Sequence, residues 1–235
     1  MTRTDPDDVT LIGHRGCAAQ YPENTVGAIE RAAPHVDAVE IDVRRCGSGE
    51  VVVVHDADLG RLTGASGSVA DADYDELRDL AVLGSGEPIP RLDEALDAAP
   101  DDLVVNVEVK ESAVAGDALD AARRAANDVL FSSFHPEALD TLRDRDPEAA
   151  RALLVADGNA ERAVDAATAL GCVALHPPID LATEQGFVAT AHEAGLAVNA
   201  WTAADRDDAG RLLAAGVDGV IADRWDLLPE RSSRD

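Results

Sequence analysis

The chain is short of several things, and each shortage excludes something. Aromatic residues make up 3% of its 235 residues, so a sizeable core has to be built from Val, Leu, Ile and Ala, which the 46% hydrophobic content supplies. The three cysteines, Cys17, Cys46 and Cys172, are odd in number and contain no CxxC pair. They signal neither a disulfide framework nor a zinc site. No apolar run approaches the ~18 residues of a membrane-spanning helix, and residues 1–8 are polar and acidic, with no signal-peptide pattern. These features lead us to expect a soluble, cytoplasmic protein without stable membrane association.

Positive charge is scarce: 46 acidic residues face 20 basic ones, for a formal charge of −26. Such a balance repels nucleic acid and anionic membranes, both of which are bound through basic patches, so no nucleic-acid partner is expected. The composition resembles the solvated acidic surfaces of proteins from salt-loving organisms, where a Debye length of roughly 3 Å at 1 M salt screens self-repulsion. Only one of the basic residues is a lysine, Lys110. A compact ammonium and a planar guanidinium are not interchangeable beside a phosphate, which assigns that lone lysine to a site.

Ionisable residues are placed on or at the ends of segments that otherwise read as buried strands. His14-Arg15-Gly16 follows a short apolar run, Glu40-Ile41-Asp42-Val43 comes next, four valines end in His55-Asp56, and Asn106-Val107-Glu108-Val109-Lys110 comes later. Burying a charge is costly unless it is paired or binds a metal; three carboxylates, two histidines, an arginine and a lysine in such positions point to a site.

Strand-like runs at about 10–13, 38–44, 103–109, 129–134, 151–155, 172–176, 196–201 and 219–222 alternate with helical patterns. The helices fall near 25–34, 92–99, 116–127, 137–144, 159–170, 184–194 and 205–215, with a short one after 225. This alternation predicts an α/β fold, a parallel (β/α)₈ TIM barrel, and 235 residues suit one such domain. Val51–Val54 breaks the rhythm. Gly47-Ser48-Gly49 is too short for a parallel crossover, so the segment is expected to fold back as a β-hairpin, with Val54 and His55 near Ile41 and Glu40. Residues 57–90 read as a small insertion over the top of the barrel, at the substrate entrance, with an ordinary surface insertion as the alternative.

Alternation along a strand puts Glu40 with Asp42, and Asn106 with Glu108 and Lys110, on one face. In a barrel that face points inward, and active sites lie at the C-terminal ends of the strands. Three hard carboxylates without cysteine favour a divalent cation, Mg²⁺ or Ca²⁺. Such an ion would polarise a phosphoryl oxygen, beside an Arg15 fork that suits phosphate. Two histidines flanking the phosphorus would serve as general base and general acid. Together these parts describe phosphodiester cleavage.

The ordered set of segments resembles the glycerophosphodiester phosphodiesterase family, barrel enzymes related to phosphatidylinositol-specific phospholipase C. The matching segments are those above together with Pro22-Glu23-Asn24-Thr25, Leu59, Arg61 and Thr63, Ile89-Pro90-Arg91-Leu92-Asp93-Glu94, Trp201-Thr202, and Gly216-Val217-Asp218-Gly219-Val220 with Asp223. The resemblance runs from about Leu11 to Leu228. It implies that His14 and His55 are the acid–base pair, that Glu40, Asp42 and Glu108 bind the metal, and that Arg15 and Lys110 contact the phosphate. It also implies hydrolysis of small glycerophosphodiesters to glycerol phosphate and an alcohol, with Trp201 as an apolar wall against glycerol. The alternatives are a phospholipase C- or D-like enzyme acting on lipid or lysolipid, and a barrel that binds without catalysis.

The remaining polar residues read as structural. Glu23, Asn24 and Thr25 shape the loop after the first strand and cap its helix, with a supporting role for Glu23 in view. Asp56 orients its neighbours, Asp218 and Asp223 are turn and strand-end residues, and Phe131 and Phe134, around Ser132 and Ser133, are core with a polar inward serine. His176 begins a turn at the mouth-facing end of its strand, with a substrate contact as the alternative.

Overall fold

A computed structural model of the chain describes residues 8–229. Nine strands follow in order: β1 (Thr10–His14), β2 (Ala38–Arg45), β3 (Val51–Val53), β4 (Val104–Val109), β5 (Val129–Ser133), β6 (Ala150–Leu154), β7 (Ala174–His176), β8 (Ala197–Ala203) and β9 (Gly219–Ala222). Eight of them pair in parallel, and the β1–β2 pairing closes the ring; β3 runs antiparallel along β2. This is the expected TIM barrel.

The outward faces of the strands explain the closure. Val39, Ile41, Val43, Val105, Val107 and Val109 are fully buried, in one cluster with helix residues such as Leu92, Leu96 and Leu139. The inward faces stack in layers of four drawn from alternate barrel strands, as the parallel register of such a barrel dictates. His14, Glu108, Leu154 and Trp201 form one layer; Glu40, Ser132, His176 and Ile221 form the layer beneath. Ile12 and Ala38, two residues before His14 and Glu40 on their strands, form a small apolar cluster with Ile221, Val104 and Trp201.

Several expectations are corrected. The helix expected over 25–34 is Val26–Ala32 followed by a 3₁₀ turn at Ala33–His35 with Pro34 inside it, and 184–194 shortens to Phe187–Glu193 after a separate turn of helix at Ile179–Ala182. Residues 224–229 form turns, not the expected short helix; that expectation extends past 229, and the one about residues 1–8 falls mostly before residue 8, outside the described residues. The hairpin register differs by one residue: Val43 faces Val53 and the Val54 N–H donates to the Asp42 carbonyl. The reason is a three-residue loop. Gly49, at φ +104°, donates to the Cys46 carbonyl and lets Cys46 pair with Glu50, adding one residue to the turn.

Residues 57–90 build short helical turns, including Gly60–Thr63 and Tyr74–Leu77. Leu59, Leu62, Val69 and Leu77 bury themselves against Val52 and Val54 of the hairpin. The insertion's apolar residues are therefore used against the hairpin, and none of its residues lines the cavity described below.

Candidate active site

At the C-terminal mouth of the barrel a cavity of ≈ 250 Å³ is lined by His14, Arg15, Glu40, His55, Asn106, Glu108, Lys110 and Trp201, among others. Asp42 is fully buried behind it, paired with the lining residues Arg15 and Lys110. All eight sequence-expected site residues are thus brought together. One carboxylate oxygen each from Glu40, Asp42 and Glu108 lies within 4.8 Å of the others.

The turn after β1 is shaped to reach them. Arg15, Cys17 and Asn24 adopt the left-handed conformation (φ +51°, +68° and +58°), which is costly for residues with a Cβ and is concentrated at functional sites. A Cβ on Gly16 would meet the Ala28 Cβ at 2.8 Å, so only glycine lets the turn pack on the following helix. The result aims the Arg15 backbone N–H at Glu40 Oε2 (2.9 Å) and its Nε at Asp42 Oδ2 (3.3 Å). Asn24 Nδ2 donates to Asp42 Oδ2 at 2.9 Å, and Thr25 caps the helix by accepting from the Ala28 N–H.

Both histidines hold a carboxylate on Nδ1. His14 Nδ1 is 2.6 Å from Asp223 Oδ1, and His55 Nδ1 is 2.7 Å from Asp56 Oδ1. His14 Nε2 lies 3.9 Å from Glu40 Oε2. The His55 carbonyl accepts from Arg44 Nε at 2.8 Å, which anchors the end of the hairpin. Arg61 from the insertion ties the two halves together: it donates to both Glu23 oxygens (2.7 and 2.8 Å) and to Asp56 Oδ2 (2.5 Å), while Glu23 also accepts from Arg15 Nη1 at 2.9 Å.

The carboxylate cluster is crowded with like charge. Burial, and then the Asp42 charge, push Glu40 up to about 8; the same two causes raise Glu108, against the pull of Lys110. Burial also opposes ionisation of Asp42, but Lys110, Arg15 and His55 and the Asn24 hydrogen bond outweigh it and hold this group below its ordinary value. Burial works against protonated His14 as well, yet the Asp223 hydrogen bond and the Glu40 charge raise it on balance. Lys110 Nζ sits 3.0 Å from Asp42 Oδ1 and 2.5 Å from Glu108 Oε1. Glu40 Oε1 is buried with no hydrogen-bond partner. A hard divalent cation suits this donor set: it would bind the orphaned oxygen and relieve the repulsion.

Asp223 and Asn24, read from the sequence as structural, reach the site: Asp223 follows β9 and holds His14, and Asn24 holds Asp42. Arg61, given no role there, holds Asp56, and Ser132 and His176 line the cavity. Phe134 is not core but 38% exposed, edge-on to Trp201 at the mouth. The only sequence signal for Asp223, Asn24 and Arg61 is their place in the matched segments. Asp218 is structural as expected, binding the Val198 N–H and His192.

The model of the glycerophosphoryl diester phosphodiesterase family matches residues 14–227. The chain is 34% identical over 241 residues to a probable glycerophosphodiester phosphodiesterase 2 of Mycobacterium tuberculosis, covering 92% of this chain and 88% of that protein. It is 31% identical over 234 residues to a glycerophosphodiester phosphodiesterase of Caldanaerobacter subterraneus, covering 93% and 95%. Among solved structures, an Oleispira antarctica phosphodiesterase in complex with the product sn-glycerol-3-phosphate superposes with a TM-score of 0.85 at 29% identity, covering 93% of this chain and 94% of that one. A barrel whose polar mouth carries these residues, in a chain matched over nearly its whole length, belongs to the glycerophosphoryl diester phosphodiesterase family and is a phosphoric diester hydrolase.

Proposed function

We propose that this enzyme hydrolyses small glycerophosphodiesters to glycerol phosphate and an alcohol, in a reaction dependent on a divalent cation, Mg²⁺ or Ca²⁺. The observation that carries the reading is the convergence of the three carboxylates with His14, His55, Arg15 and Lys110 on one cavity. Residues 1–235 act as one catalytic domain, with 57–90 as a buttress of the hairpin. Among the described residues no helix is long and apolar enough to cross a membrane.

Glu40, Asp42 and Glu108 hold the cation, which when bound would polarise the phosphoryl group and neutralise its developing charge. Arg15 and Lys110 bind phosphate oxygens, Lys110 by exchanging part of its present carboxylate pairing for them. Asp223 and Asp56 accept from Nδ1 of their histidines and so leave each Nε2 free to face substrate. One Nε2 takes the proton of the attacking hydroxyl, that of water or of the glycerol itself, as its oxygen bonds to phosphorus. The other, protonated, gives its proton to the alkoxide as the phosphorus–oxygen bond of the alcohol breaks. Where the glycerol attacks, water then opens the resulting cyclic phosphate to glycerol phosphate with the two histidines exchanging roles. Trp201 forms an apolar wall, fixed by its Nε1 donating to the His176 carbonyl at 2.7 Å.

The test is release of glycerol phosphate from glycerophosphocholine and glycerophosphoethanolamine in molar KCl, with EDTA and then with Mg²⁺ or Ca²⁺ restored. Activity lost to EDTA and regained with metal is expected. Folded protein inactive with both metals would contradict the proposal and favour a lipid substrate or a barrel without catalysis.

A further inference from the structure

The two histidines are mounted differently. His14 is the last residue of β1, in register with Glu40 of β2, and its side chain is 18% exposed. His55 lies two residues past the end of β3, outside the sheet, and its side chain is 34% exposed. The last main-chain bond of the hairpin before it runs from the Val54 N–H to the Asp42 carbonyl. A catalytic ring has to be held to within about 0.5 Å of its productive position, and strand pairing does not supply that hold for His55.

Arg44 supplies it. Alternation puts Arg44 on the same face of β2 as Glu40 and Asp42, but it lies two residues beyond Asp42, near the strand's end, and does not line the cavity. Its Nε donates to the His55 carbonyl at 2.8 Å, and its Nη1 donates to Glu111 Oε1 at 2.7 Å. Glu111 follows Lys110 in the loop after β4 and lines no part of the cavity either. The guanidinium is rigid and planar, so fixing Nη1 on that loop also fixes where Nε points. The ion pair balances the charge of Arg44, whose side chain is 16% exposed, and both hydrogen bonds are strengthened by it. Among the described residues the hydrogen bonds to His55 are two: Asp56 holds the ring at Nδ1, and Arg44 holds the main chain.

We propose that Arg44, braced by Glu111, is a positioning residue for His55: it fixes the main chain that carries the ring, and so sets where Nε2 stands relative to the reacting oxygen. The proposal rests on the acid–base role of His55 in the glycerophosphodiesterase reading and extends it to a pair of residues outside the cavity. Asp56 alone leaves the ring free to move with its backbone. Arg44 alone leaves it free to turn. The two together fix both.

The test combines kinetics on glycerophosphocholine, in molar KCl with Mg²⁺ and then Ca²⁺, with nitrogen NMR of the histidine rings. Arg44→Met should lower kcat about tenfold. KM and the cation concentration for half-maximal rate should change by less than about threefold. Arg44→Lys keeps a donor for the carbonyl and should return kcat to within about threefold of the unaltered protein. Glu111→Ala leaves Arg44 unbraced at a more exposed position and should lower kcat about threefold; it carries the test if Arg44→Met does not fold. The ring resonances of His55, identified by their loss in His55→Ala, should shift in Arg44→Met and Glu111→Ala while those of His14 stay in place. A lowered melting temperature with kcat unchanged, a loss carried mainly by KM or cation affinity, or unmoved His55 resonances would each overturn the proposal. The two readings fail separately. Unaltered protein inert toward glycerophosphodiesters removes that reaction, and the resonances, which need no substrate, then decide whether Arg44 holds His55. Normal turnover in Arg44→Met removes only the positioning role.

Discussion

Asp223 Oδ1 lies 2.6 Å from His14 Nδ1, across 209 residues of sequence. Asp56 does the same for His55 from the adjacent position, at 2.7 Å. The two rings thus have matched support: each is held at Nδ1 by a carboxylate, which leaves Nε2 as the atom free for the acid–base role proposed above.

Asp223→Asn should therefore lower kcat by about 100-fold, within the range attributed to a positioned general acid or base. KM and cation affinity should change by less than about threefold, because the residue touches neither phosphate nor the carboxylates. Steady-state kinetics with equilibrium dialysis of the cation checks this; a variant weakened mainly in cation binding would assign Asp223 to the metal instead.

Arg61 couples the two halves of the site through Glu23 and Asp56. Arg61→Met should lower kcat about tenfold, the scale of a misplaced catalytic group. It should also cost about 1–3 kcal/mol of stability, because buried Glu23 loses two of its hydrogen bonds. Lysine at this position should restore little, since one ammonium cannot bridge both carboxylates as a planar fork does. Urea unfolding and kcat of the two variants decide it.

Metal and proton roles separate by mutation. Glu40→Gln should weaken the cation first, seen as a rise in the Mg²⁺ or Ca²⁺ concentration needed for half-maximal rate. His14→Ala or His55→Ala should abolish turnover while cation binding by dialysis stays near that of the unaltered protein. Near-normal rates in either histidine variant would refute the acid–base assignment.

His176 gives a pH signature in stability. Its folded-state value is pushed down to about 3 by burial, against an ordinary 6.5. The unfolded chain therefore binds the proton first: its contribution is present above pH ~6.5 and is lost as pH falls toward 3, by up to roughly 1.4 kcal/mol per pH unit. His176→Phe should flatten the decline of urea midpoints between pH 6.5 and 4. An unchanged slope would show that this ring does not govern the acid limb.

Salt should matter as well. With a net charge of −26, the thermal midpoint should rise between low salt and molar KCl, as screening shortens the range of self-repulsion to roughly 3 Å. A melt insensitive to KCl would count against an acidic surface adapted to salt.

Much of the barrel was legible because parallel strands buried on both faces read as Val-rich runs, and because inward charges interrupt those runs at fixed parity. Glu40, Asp42 and Glu108 could be placed on one face by alternation alone. The hairpin register was missed by one residue because it depends on how many residues the Cys46–Glu50 turn absorbs, a matter of Gly49's backbone and not of hydrophobic pattern. Phe134 was assigned to the core on composition, whereas the end of β5 leaves it at the mouth.

Sequence by itself determined the barrel, the inward face of each strand and the kind of chemistry, since periodicity and residue type are local properties of the chain. Tertiary structure alone decided which partners those residues have. Asp223 reaches His14 only because β9 closes the ring beside β1. Arg61 reaches Asp56 and Glu23 because the insertion packs on the hairpin. Ser132 and His176 share a layer with Glu40 because the strand register makes alternate strands meet on the barrel axis. Contacts between residues so far apart in sequence are set by closure and register, and no local pattern encodes them.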